Sequence, residues 1–147
     1  MTEKELRPHI IEWLKANGYE VAHECASMHN CDVVGFQFYE REGKRIPNLK
    51  RVIAIELKIS DFNGVLTQCR SHRYYANQVF AAMPSVNVDK MKYETRVNFS
   101  EQGIGLLSII ENGCVAIGEV SLSYDPDFSG IHKALWRWHK INMRGAE

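Results

Sequence analysis

The sequence predicts a mixed α/β fold, in α+β order, with a central mixed β-sheet flanked by helices. Three observations predict it. An N-terminal segment places its apolar residues on one helical face. Several short runs rich in β-branched and aromatic residues follow it. One of them, Val52 to Ile55, has no polar interruption, the mark of a strand covered on both faces.

The elements are read in order. Residues 3–17 form a helix with Leu6, Ile10, Trp13 and Leu14 on one face. Thr2 suits its N-cap, Glu3 and Glu5 its positive end, and Gly18 its stop. Residues 19–24 read as a short strand and residues 32–39 as a second. The polar stretch 40–50, with Gly43 and Pro47, reads as a long hairpin loop. Residues 51–59 make the third strand. A turn through Ser60, Asp61, Asn63 and Gly64 leads to a helix ending near residue 77, then a strand over 78–83 stopped by Pro84. A short helix is expected over 87–95. The apolar runs 104–110 and 114–120 flank Glu111-Asn112-Gly113, a hairpin signal. A last helix follows residues 125–129, with Ile131, Leu135 and Trp138 facing inward. The first six elements thus run αβββαβ over residues 3–84, and the C-terminal hairpin and helix fill about 100–144.

A chain of 147 residues without repeats or linker-like tracts suits a single domain, residues 1–147. No run approaches the ~18 apolar residues of a membrane span. The charged N-terminus lacks the apolar block of a signal peptide, so an intracellular, cytoplasmic protein is expected. Lys plus Arg (18) balance Asp plus Glu (18), so a polyanionic partner would have to be met by local charge. Among the four cysteines no C-x-x-C pair occurs. His23, Cys25, His29 and Cys31 lie close in sequence but match no common zinc framework, and buried or idle thiols are the expectation.

The chemistry concentrates at the end of the third strand. Glu56 and Lys58 fall on one face of it, with Leu57 on the other. Two charges at the end of a covered strand are costly unless they pair or bind an ion. Asp32 opens the neighbouring strand, and antiparallel pairing sets the start of one strand beside the end of the next. Asp32, Glu56 and Lys58 therefore converge, and two carboxylates with an amine make a hard-oxygen cation site suited to magnesium, with manganese as substitute. Such an ion would offset the charge developing at a phosphate, while Lys58 orients the nucleophilic water or stabilises the transition state.

A Glu-x-Lys tripeptide alone is common. The order helix, Asp-led strand, loop, buried strand ending in Glu56-Leu57-Lys58, then helix is far more restrictive, and it resembles the PD-(D/E)XK, restriction-endonuclease-like nuclease superfamily over about residues 3–84. The resemblance implies metal ligation by Asp32, Glu56 and the backbone carbonyl of Leu57, with Lys58 as the catalytic lysine. Cys31 stands where the name-giving pattern has proline. Many members carry a glutamate on the first helix, and Glu3 shares the apolar face with Ile10 and Leu14, unlike Glu5 and Glu12. Glu24 is a further candidate acid.

Substrate-binding candidates come from three places. Gln68, His72 and Tyr75 fall at i, i+4 and i+7 of the helix after Lys58, beside Arg70 and Arg73. The resemblance implies contact of Gln68 with a metal-bound water or the substrate backbone. The loop bearing Arg41, Lys44, Arg45, Lys50 and Arg51 is suited to clasp a duplex. Lys133, Arg137, Lys140 and Arg144 form one stripe on the last helix, with Trp136 beside it. The expected activity is a magnesium-dependent deoxyribonuclease, with an RNA-directed nuclease as an alternative and a homodimer suited to duplex cleavage by symmetry. The other alternative is a nuclease-fold module that binds nucleic acid or a protein partner without cutting.

Overall fold

The computed structural model describes residues 1–23, 30–118 and 120–146, and side chains up to residue 143. Among the described residues, six strands and five helices form a mixed sheet with helices on both faces. The sheet order is β1 (Glu20–His23), β2 (Val33–Arg41), β3 (Lys44–Leu57), β4 (Gln78–Pro84), β5 (Gly105–Ile110), β6 (Gly113–Ile117). The β1–β2, β2–β3 and β5–β6 pairs are antiparallel, and the β3–β4 and β4–β5 pairs are parallel.

Helix α1 (Glu3–Ala16) starts as expected: Thr2 accepts from the Glu5 N–H, and the Glu5 carboxylate accepts from the Thr2 N–H in return. Its inner residues Leu6, Ile10 and Leu14 are fully buried, each contributing roughly 1.5–3 kcal/mol. They pack on Val33, Ile53, Ile55, Leu57, Phe80 and Leu107. The approach is close at β2, where a Cβ on Gly35 would stand 2.7 Å from Leu14 Cδ2. Because strand side chains alternate, Val52, Ala54 and Glu56 face the other way. On that face lie Val65, Leu66 and Cys69 of α2 (Phe62–His72), Phe99 of α4 (Tyr93–Glu101), and Leu135 of α5 (His132–Ala146).

Several expectations need correction. Residues 40–50 are not a long loop. Strands β2 and β3 run to Arg41↔Lys44, joined by Glu42 and Gly43 with φ of 52° and 78°. Positive φ at both central residues matches the right-handed twist of a tight hairpin. Pro47 falls where the β2–β3 register slips between Phe38↔Leu49 and Glu40↔Arg45, so its missing N–H breaks no regular ladder. Helix α2 ends at His72, five residues early. The single helix expected over 87–95 is instead two, α3 (Ser85–Asp89) and α4. The hairpin at Glu111-Asn112 is present, with Gly113 already the first residue of β6. Ile131 and Leu135 are fully buried as expected, Trp138 is half-buried and packs against the same core, and its neighbour His139 is buried. No helix among the described residues is long and apolar enough to cross a membrane.

Candidate metal centre

The β2–β3 register sets Val33 opposite Ile55, so Asp32 stands opposite Glu56. Asp32 Oδ2 accepts a hydrogen bond from the Leu57 N–H at 2.8 Å, which fixes the carboxylate at the mouth of the sheet. Lys58 lies one residue past β3, yet its N–H donates to Ala82 O at 3.0 Å, extending the parallel pairing to it. Asp32 and Lys58 are half-buried, and Glu56 is 2% exposed.

Burial pushes the Glu56 carboxyl up to about 9, helped by a hydrogen bond to Asp32 and by the Asp32 charge. Lys58 pulls it back down and Glu3 adds a little in the upward direction. Asp32, Lys58 and Glu3 are thus all within electrostatic reach of Glu56, although Glu3 itself is exposed.

Helical spacing from Gln68 puts His72 and Tyr75 on a polar, substrate-facing surface. Both are buried instead. His72 Nε2 lies 2.5 Å from Glu56 Oε1, and His72 Nδ1 lies 2.7 Å from Tyr75 Oη. Tyr75 is beyond the end of α2, so helical spacing does not place it. His72 follows Val65 by seven residues, about 20° away on a helix, and so joins the inner face with Val65 and Cys69. That spacing was the available signal. Burial also drives the Tyr75 hydroxyl far above its ordinary range.

Cys31 completes the cluster. Its thiol donates toward Val33 O and Ile55 O at 3.3 and 3.4 Å, and burial, with the Glu56 charge, pushes it up to about 12. Ligand atoms of Cys31, Glu56 and His72 all lie within 4.8 Å of one another. Of the set His23, Cys25, His29 and Cys31, two members, Cys25 and His29, lie outside the described residues, as does Glu24.

The remaining candidates are spread out. Gln68 is exposed on α2. Arg73 Nη1 donates to Gln102 O, tying the end of α2 to the end of α4. Lys44 and Arg45 sit at the hairpin tip rather than in a loop, and Arg45 pairs with Glu40. Lys133, Arg137 and Lys140 are exposed on α5 and line a shallow pocket of about 370 Å³ with His132, Trp136 and Ile141. Lys140 Nζ stands 5.8 Å from the Trp136 ring. Arg144 belongs to α5, and its side chain lies outside the described residues.

No protein family and no curated protein matches the sequence. Among solved structures the chain is similar to a protein of unknown function from Silicibacter pomeroyi, with 14% identity and a TM-score of 0.61 over 99% of this chain and 91% of that one. At that identity the likeness shows the fold alone: a mixed sheet with helices on both faces, shared over nearly the whole length of each chain.

Proposed function

We propose that this chain is a metal-dependent hydrolase of phosphodiester bonds, acting on DNA, built on a restriction-endonuclease-like αβββαβ core. The observation that carries the reading is the register that sets Asp32 opposite Glu56, with Lys58 just past the strand end.

The donor set fits a hard divalent ion. Two carboxylates crowd together at a buried strand end, and Glu56 holds its proton because burial outweighs the pull of Lys58. Asp32, Glu56 and the Leu57 carbonyl would hold magnesium or manganese, which supplies Lewis-acid activation of water and charge neutralisation at the phosphate. The chain's own groups do the rest. The Leu57 N–H anchors Asp32 through Oδ2. His72 anchors Glu56 through Oε1, and the Glu56–Asp32 hydrogen bond would give way to the ion. Lys58 positions the attacking water or offsets charge on the phosphoryl oxygens.

The basic stripe supports a polyanionic substrate. Helix α5 runs from Pro47, where His132 docks, past Phe38 under Trp136, to His23 beside Trp138. His23 pairs with Val33, next to Asp32, so Lys133, Arg137 and Lys140 lead along the sheet toward the acid cluster. A second reading, a module that binds nucleic acid without cutting, is favoured by the burial of Glu56 under His72. Incubation with linear, circular, single-stranded and branched DNA, and with RNA, with and without magnesium, separates the two. Magnesium-dependent cleavage of DNA supports the hydrolase; binding without cleavage in either condition supports the module.

A further inference from the structure

We infer that Cys31, Glu56 and His72 form a second, softer metal site that takes a borderline divalent cation of the zinc or cobalt class. This goes beyond the hydrolase reading, since binding there requires no catalysis, although it uses the same Glu56.

The donors are of the right kind. A thiol, a carboxyl and an imidazole are the ligand types that zinc-class ions select, and thiol and imidazole are types that magnesium avoids. The three donor atoms already lie within 4.8 Å of one another, and all three residues are buried. Donors about 2.0–2.3 Å from a shared ion stand up to roughly 4 Å apart, so the cluster needs only small adjustments. One is at His72 and Glu56, whose 2.5 Å separation would open as the ion enters between them.

The surroundings are also those of a metal site. The nitrogen of His72 that would not bind metal is held by Tyr75 Oη at 2.7 Å, which fixes ring orientation. The three ligands come from the entry to β2, the end of β3 and the end of α2. The charge balance favours occupancy. A thiolate and a carboxylate match the charge of a dication, so an occupied site would leave no net charge on these donors in the core. This set is distinct from His23, Cys25, His29 and Cys31, with which it shares only Cys31.

Cobalt(II) titration of the metal-free full-length chain tests the site, because a cobalt–thiolate bond gives a charge-transfer band in the near ultraviolet. The expected result is a band saturating at one equivalent, abolished by Cys31→Ser and by His72→Gln and retained in Cys25→Ser and Asp32→Asn. Tyr75→Phe should keep the band with affinity reduced about tenfold to a hundredfold. Circular dichroism of each metal-free variant checks folding, and if His72→Gln does not fold, Tyr75→Phe carries the test. No thiolate band in the wild type overturns the site. So does a band that survives His72→Gln, or one with unaltered affinity in Tyr75→Phe. Loss in Cys25→Ser with retention in His72→Gln would assign the metal to the other set. None of these readouts depends on cleavage, so failure of the hydrolase reading and failure of this site are separately visible.

Discussion

His72 Nε2 meets Glu56 Oε1 at 2.5 Å inside the protein, and Tyr75 Oη meets the other nitrogen of the same ring. A buried carboxyl with a fixed partner keeps one orientation, and the Glu56 carboxyl also hydrogen-bonds Asp32. On the hydrolase reading the imidazole acts on another side chain and is a positioning group.

Replacement of His72 by alanine therefore leaves Glu56 unsupported. Loss of a buried partner should destabilise the fold by about 1–3 kcal/mol in urea denaturation. On the hydrolase reading, turnover should fall about tenfold to a hundredfold with DNA affinity little changed, and His72→Gln should restore part of it. A variant with wild-type turnover would show that His72 only fills space.

The second prediction is a pH dependence. The folded-state value of Glu56 is raised to about 9 from an ordinary 4.5. The folded protein therefore holds a proton that the unfolded chain has lost, and stability from this group is full below about 4.5 and falls as pH rises toward 9. Glu56→Gln, which mimics the protonated form, should gain on the wild type steadily across that window in denaturation experiments without metal. Magnesium should reduce the difference by replacing the proton. A stability difference that is flat with pH would show that Glu56 ionises normally in the folded protein.

Packing gives a third. A Cβ on Gly35 would reach 2.7 Å from the fully buried Leu14, which is enclosed by the core between α1 and the sheet. Gly35→Ala should cost about 1–3 kcal/mol and lower the melting temperature by displacing α1. An unchanged melting temperature would mean that α1 is held less firmly on β2 than the packing indicates.

The α5 stripe makes a fourth. Replacing Lys133, Arg137, Lys140 and Arg144 with glutamine should weaken DNA binding and flatten its salt dependence. The log–log slope should fall by roughly 0.9 for each phosphate that is no longer neutralised. Binding measured in calcium isolates affinity from cleavage. Arg45 already pairs with Glu40 and Arg73 is committed to Gln102, whereas Lys133, Arg137 and Lys140 are exposed on one helix. An unaltered slope would place the stripe in solvent.

The Asp32–Glu56 pairing was legible because it rests on two robust regularities, the period of two in a strand and the antiparallel return of a hairpin. The hairpin tip was not. Its first positive-φ position is held by Glu42 rather than by Asn, Asp or Gly, so the usual turn signal is missing. Pro47 reinforces the impression of a loop, and only the β2–β3 pairing reveals the irregular register that accommodates it. Tyr75 is misplaced because spacing from Gln68 presumes a helix that in fact stops at His72. His72 itself lies inside α2, about 40° from exposed Gln68 and about 20° from buried Val65, and joins the inner face. Burial of Cys31 agrees with the expectation for its thiol, but its partners Val33 O and Ile55 O are brought together only by sheet pairing.

The most direct test of the central claim compares wild type with Glu56→Ala and Asp32→Ala in a DNA cleavage assay with magnesium, each variant first shown to be folded. Ligation of the ion by these two carboxylates predicts metal-dependent cleavage by the wild type and a loss of at least about a hundredfold in each variant. A folded Glu56→Ala protein that cuts at the wild-type rate would contradict the assignment.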